Sequence, residues 1–315
     1  MASPPREDDG IRGIIEKEMA TLRLTYGAEA IPISSSSALH AAEAGALKDK
    51  VVVVTGGSKG FGKTYALKAA EYGAKVVIAA RGQKGIDETV EEIKKAGGKA
   101  TGKSTDVTSW QSQVALFEHA VKTFGPIDVV IANAGIFEGG LLLEDKLDET
   151  GKLAKPDIST IDINIIGSTY TSKLAFHYLT KNPSKGLKSL VVLGSLTSYI
   201  PSPGCPLYIA AKHCLLGLQR ALSLEAKDKG IDVVFVASAP VPTEIFGDLT
   251  AMVEYLPHGD LEDTVDAMIA GSSIPGLNGK VYATDTKGIF QLPFRKALPG
   301  EAPEAPVPAL IKAKL

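Results

Sequence analysis

Cysteine is nearly absent: the 315 residues contain two. Two thiols cannot build the disulfide framework of a small secreted scaffold. Histidine is also scarce, at five with no HxxxH pair, so the sequence offers no zinc site and no metal is expected. Net charge is close to nil, −2 from 34 basic and 36 acidic residues, which gives no footprint for nucleic acid or an anionic membrane. Long apolar helices are missing too. The longest uncharged stretch, Ser189 to Ala211, holds Pro201, Pro203 and Pro206 with Gly204 among them, and no helix crosses hydrocarbon through such a cluster. The N-terminus, MASPPREDDG, is acidic and without an apolar core, unlike a secretion signal or a basic transit peptide, so a cytoplasmic location is the expectation.

What is present is ordinary for a soluble globular chain: 44% hydrophobic and 22% charged residues. The length allows one large domain or two small ones. Residues 1–47 read as a helical extension, with Ile11, Ile14, Ile15, Met19 and Leu22 at helical spacing after Asp8 and Asp9. It is expected to pack on the main domain or on a neighbouring subunit. From Lys48 a rhythm begins. Apolar runs at Val51–Thr55, Lys75–Ala80, Asp128–Asn133, Leu190–Ser195 and Ile231–Ala237 alternate with helix-like segments near 62–72, 85–96, 109–124, 158–180 and 207–229. Continuous apolar strands separated by helices predict an α/β fold: one Rossmann-type domain over 48–291, a doubly wound parallel sheet with helices on both faces. The Pro-rich residues 292–315 read as an extended arm.

The run Val51–Val54 leads into Thr55-Gly56-Gly57-Ser58-Lys59-Gly60-Phe61-Gly62-Lys63-Thr64 and then a helix. Glycines there let the backbone approach a phosphate at the helix N-terminus. Two motifs fit. Gly57 to Thr64 matches GxxxxGK[ST], a nucleoside-triphosphate loop, and Thr55 to Gly62 matches TGxxxGxG, a dinucleotide turn. A triphosphate site also needs an acidic residue at another strand end for Mg²⁺. The strand ends here are Ala80-Arg81, Asn133 and Ser195, none acidic, which favours the dinucleotide turn.

With that turn, Asp106-Val107, Asn133-Ala134-Gly135 and Tyr208-Ile209-Ala210-Ala211-Lys212, in this order, the chain resembles the short-chain dehydrogenase/reductase family over about residues 48–290. The resemblance implies hydride transfer between a nicotinamide cofactor and a carbonyl or alcohol. It places Gly56, Ser58, Lys59, Gly60, Phe61 and Gly62 at the cofactor, Asp106 and Val107 at its adenine, and Asn133, Ala134 and Gly135 after the fourth strand. Thr243 would meet the carboxamide or phosphate, although Ser238-Ala239 stands where the family has Pro-Gly.

The proposed chemistry has a physical basis. A carbonyl oxygen gaining charge needs a proton donor beside it. A phenol is ordinarily too weak an acid, and an ammonium four residues on, one helical turn away, favours its ionised form. Tyr208 and Lys212 have that spacing. Ser195 lies thirteen residues earlier at a strand end and matches the family's oxygen-orienting serine; Ser198 is the alternative. Asn164 matches the asparagine that distorts its helix and holds a relay water. The second strand ends in Ala80-Arg81 with no acid, and Lys59 adds charge, which favours NADP over NAD. Pocket walls are expected at Phe137, Tyr199, Cys205, Leu207, Ile245 and Phe246, so an apolar ketone or alcohol is the expected partner. The resemblance implies a homodimer or homotetramer. The competing readings are the triphosphate-using enzyme and a dinucleotide sensor without turnover.

Overall fold

The computed structural model describes residues 45–138, 142–255 and 257–292, with residues 13, 16–18 and 31–33. Most of the 1–47 extension and the whole arm beyond 292 lie outside the described residues; Gly13 and residues 16–18 are helical.

Among the described residues nine strands form one sheet: β1 (Ile31–Ile33), β2 (Val51–Thr55), β3 (Lys75–Ala80), β4 (Lys99–Ser104), β5 (Val129–Ala132), β6 (Ser189–Leu193), β7 (Asp232–Ala237), β8 (Val281–Asp285) and β9 (Gly288–Leu292). The order is β1-β9-β8-β7-β6-β5-β2-β3-β4. The pairs from β4 across to β8 are parallel, and β9 and β1 add antiparallel edges. Seven parallel strands with helices between them realise the doubly wound fold expected from the sequence.

Alternation of side chains sorts the strands onto two cores. Val52, Val54, Val76 and Ile78 face one layer, built on helices α1 (Gly60–Glu71) and α2 (Gln83–Lys95). Val51, Val53, Val77 and Ala79 face the other, built on α3 (Trp110–Phe124), α4 (Ser168–Lys181) and α5 (Pro206–Ala226). A short helix α6 (Thr250–Tyr255) precedes α7 (Leu261–Ser273), which is buried along its whole length after its first turn and completes the first layer.

Strand order reverses between β2 and β5. From β2 the chain winds outward through β3 and β4, and from β5 the other way through β6, β7 and β8. Loops leaving β2 and β5 therefore part company at their carboxyl ends, and a crevice opens between them.

One glycine at the crevice is a packing requirement. A Cβ at Gly194 would lie 2.0 Å from Cζ of the fully buried Phe235. The residue directly follows β6, and its N–H is held by Val236 O at 2.7 Å. We expect Gly194→Ala to cost about 1–3 kcal/mol as an overpacked site. Denaturant midpoints measure this, and an unchanged midpoint would contradict it.

Candidate active site

The crevice contains a cavity of about 640 Å³. Its floor is the turn after β2. Gly56 and Gly60 have φ of +68° and +49°, values that favour glycine. The turn is locked from β5: Asn133 Nδ2 donates to Thr55 O at 2.8 Å and Gly56 O at 3.1 Å. The backbone N–H groups of Asn133 and Ala134 donate to Thr55 Oγ1 at 3.1 and 3.2 Å. A Cβ on Gly62 would stand 2.3 Å from Gly56 O, so α1 can start this close only with glycine there. Ser58, Lys59, Gly60 and Phe61 line the cavity, while Gly62 lies beneath the turn.

Lys63 and Thr64 do not face this cradle. Lys63 Nζ pairs with Glu92 Oε2 of α2 at 2.7 Å, and Thr64 Oγ1 donates to Gly60 O at 3.2 Å. The lysine and hydroxyl of a triphosphate loop are thus spent on helix packing, and that reading falls.

Arg81, Asp106 and Val107 line the same end of the cavity. Asp106 is held below its ordinary value, first by hydrogen bonds from Thr108 N–H and Oγ1 at 2.9 and 2.8 Å, with a further pull from the Arg81 guanidinium. Val107 O accepts from the buried Gln113 Nε2 at 2.6 Å, and Gln113 also holds Gly167 O at 2.9 Å. One buried amide thereby ties this loop to the next feature.

That feature is a π-turn, Asp162–Gly167, entering α4. Asn164 sits in it, fully buried. Its Oδ1 accepts from Ile136 N–H and its Nδ2 donates to Ile136 O, both at 2.9 Å. Helix distortion at Asn164 matches expectation. Its amide, however, is committed to Ile136, and the residue lies behind the cavity wall.

At the other end Ser195, Tyr208 and Lys212 come together on the cavity wall, buried to 6%, 9% and 4% exposure. Ser195 caps a 3₁₀ turn, its Oγ accepting from Thr197 N–H at 3.2 Å, and it also hydrogen-bonds the Tyr208 phenol. Ser198, the alternative, does not line the cavity; its Oγ accepts from Ser195 N–H at 3.3 Å. Lys212 Nζ donates to Leu193 O at 3.1 Å and lies 5.4 Å from the centre of the Tyr208 ring.

Burial dominates the acidities of this pair. It pushes the phenol well above its ordinary range, and the Ser195 hydrogen bond only partly offsets that. It pulls the Lys212 ammonium down from 10.5 to about 8. The expectation of a phenol made acidic by its neighbour is therefore not met in this arrangement of protein groups alone.

Thr243, buried, closes the cavity roof, and Phe137, Cys205, Ile245 and Phe246 line it. Tyr199 and Leu207, expected as walls, do not. Tyr199 packs on the second core beside Arg220. The Cys205 thiol is pushed up to about 11 by burial and by the charge of Glu138, which makes it a wall group and not a nucleophile. Ser238 and Ala239 carry the β7 exit on ordinary sheet bonds: Leu196 N–H donates to Ser238 O at 2.8 Å, and Ala239 N–H to Thr284 O at 3.0 Å. The sequence did not mark Glu138, whose carboxylate touches the start of α5.

Comparison with known proteins shows the family of the chain. The short chain dehydrogenase family model matches residues 50–254. A short-chain dehydrogenase/reductase of Penicillium rubens is 34% identical over 210 residues, 65% of this chain and 60% of that protein. An uncharacterized oxidoreductase of Listeria monocytogenes is 31% identical over 215 residues, 65% of this chain and 79% of that one. A crystal structure of a short-chain type dehydrogenase/reductase from Mycobacterium marinum superposes with a TM-score of 0.67 at 25% identity, over 76% of this chain and 95% of its own. The chain thus spans somewhat under two thirds of the Penicillium relative it matches.

Proposed function

The chain belongs to the short-chain dehydrogenase/reductase family, and we propose that it is an NADP(H)-dependent oxidoreductase interconverting an apolar ketone or aldehyde with its alcohol. The observation that carries this reading is the meeting of Ser195, Tyr208 and Lys212 on one wall of the cavity that the Gly56–Gly62 turn floors. Family members use nicotinamide dinucleotides, and the cradle fits one. Two close backbone approaches that only glycine permits open onto a helix N-terminus, a ready site for a pyrophosphate. Gly56, Ser58, Lys59, Gly60 and Phe61 would hold it, on a turn that Gly62 lets pack closely, with Arg81, Asp106, Val107, Asn133, Ala134, Gly135, Lys212 and Thr243 along its length. The cofactor supplies the hydride when bound.

Tyr208 is the general acid of the reduction. Burial keeps its phenol protonated, which is the state a donor to a carbonyl oxygen needs. Ser195 Oγ stands beside that phenol and donates to the same oxygen, stabilising the charge that develops there. Lys212 remains largely protonated at neutral pH despite burial and places its charge near the phenol as the proton leaves. Asn164 holds the Ile136 backbone, and through it the wall facing Tyr208. The apolar lining of Phe137, Phe246 and Ile245 selects a hydrophobic substrate.

Preference for NADP rests on charge. β3 ends in Ala80, where an acid would favour NAD, while Arg81 and Lys59 both line the cavity. A charge-assisted hydrogen bond contributes roughly 1.5–3 kcal/mol, so Arg81→Ala is expected to weaken NADPH about tenfold or more. NADH binding should barely move. Fluorescence titration of both nucleotides tests this together with the family's cofactor: wild type binding neither one, or equal losses for both, would refute the reading.

A further inference from the structure

The helix carrying Tyr208 begins with a deficit. Its N-cap, Cys205, makes no side-chain cap bond, and the thiol turns to Pro203 O at 3.8 Å. Pro206 has no N–H, but Leu207 and Tyr208 do, and first-turn N–H groups find no acceptor within their own helix. One atom from a distant loop takes both. Glu138 Oε2 accepts from Leu207 N–H at 2.8 Å and from Tyr208 N–H at 3.1 Å.

This cap is costly. The other oxygen of the carboxylate, Oε1, is buried without a hydrogen-bond partner among the described residues. A buried charge is tolerated only where something compensates it, and here that is the positive end of the α5 dipole. Serine or aspartate at 205 would cap the same helix locally. What Glu138 adds, and a local cap would not, is a link between the β5 exit loop and Tyr208. The loop already grips the phenol's surroundings twice: the Phe137 ring lies 4.9 Å from the Tyr208 ring, and Ile136 clasps Asn164.

We propose that Glu138 is a positioning residue, whose carboxylate fixes the first turn of α5 so that the Tyr208 phenol stays at Ser195. This rests on the reading of Tyr208 as the acid. The test compares Glu138→Ala with Glu138→Gln in the full chain. Glutamine keeps an acceptor oxygen for both N–H groups, loses the charge and puts an NH₂ in place of Oε1.

Hydrogen exchange at the Leu207 and Tyr208 amides, followed by NMR, reads the contact independently of turnover. We expect both amides to be protected in wild type and Glu138→Gln and to exchange faster in Glu138→Ala. Misplacing a reacting group by an ångström can cost about a hundredfold, so kcat of Glu138→Ala should fall about ten- to a hundredfold. KM and NADPH affinity should stay near wild type, and Glu138→Gln should recover most of the rate. If Glu138→Ala does not fold, Glu138→Asp, one methylene short of the N–H groups, takes its place. Equal exchange in wild type and Glu138→Ala overturns the inference, as does lost protection with unchanged kcat. A Glu138→Gln as slow as Glu138→Ala overturns it as well, since charge and not hydrogen bonding would then be responsible. A wild type that protects both amides yet reduces no carbonyl counts against the proposed function and leaves the contact standing.

Discussion

Tyr208→Phe is expected to lower kcat by about 10²–10⁴, the range a general acid contributes. The substitution isolates the proton because little else depends on the hydroxyl. The ring is kept, and with it the 4.9 Å contact to Phe137 and the 5.1 Å contact from Phe137 on to Phe246. Ser195 loses its bond to the phenol but still accepts from Thr197 N–H. The glycine turn is held by Asn133 and Thr55, at the far end of the cavity, so NADPH binding should persist. Steady-state reduction of a panel of hydrophobic ketones and aldehydes at saturating NADPH measures the effect. A variant as fast as wild type removes Tyr208 from the chemistry.

Lys212→Met is expected to abolish turnover and yet make the protein more stable at pH 7. Burial lowers the ammonium's pKa from 10.5 to about 8 in the folded chain. Between those values the unfolded chain binds more protons than the folded one, so this residue's contribution to stability rises with pH across that interval. Below about pH 8 the folded protein bears the full cost of a buried charge, roughly 3 kcal/mol at 1.36 kcal/mol per pH unit. Methionine fills a similar volume without charge. It leaves Leu193 O without its donor, which returns about 1 kcal/mol of the gain. The variant's advantage should therefore be clear at pH 7 and vanish as pH approaches 10.5. Denaturant midpoints of both proteins across that range test it. A variant less stable than wild type at pH 7, or a gap that does not change with pH, would refute the assigned cause.

The legible strands were those buried on both faces. Val51–Thr55 and Lys75–Ala80 are continuous apolar runs, and their limits agree with β2 and β3 to the residue. β4, Lys99–Ser104, was invisible because it is an edge strand with exposed Lys99 and Ser104 and a single buried residue, Ala100. Leu261–Ser273 carried no helical stripe because α7 is wrapped on nearly all sides, so small and polar residues such as Thr264, Ser272 and Ser273 are buried with the apolar ones. The glycine turn and the Tyr208–Lys212 spacing were readable because each is a local pattern. Glu138 was not, since the N–H groups it meets lie 69 and 70 residues away and nothing in its neighbours encodes them. The engagement of Asn164 with Ile136 is hidden for the same reason.

The antiparallel pairing of Ile31 with Gln291 has a consequence for biosynthesis. The segment at Ile31 leaves the ribosome before Gln291 and has no strand to pair with until Gln291 has been made. Until then it is an unpaired, apolar stretch that a chaperone can hold or another chain can capture. Newly made protein is thus most prone to aggregate before Gln291 emerges, and slower elongation between the two segments lengthens that exposure.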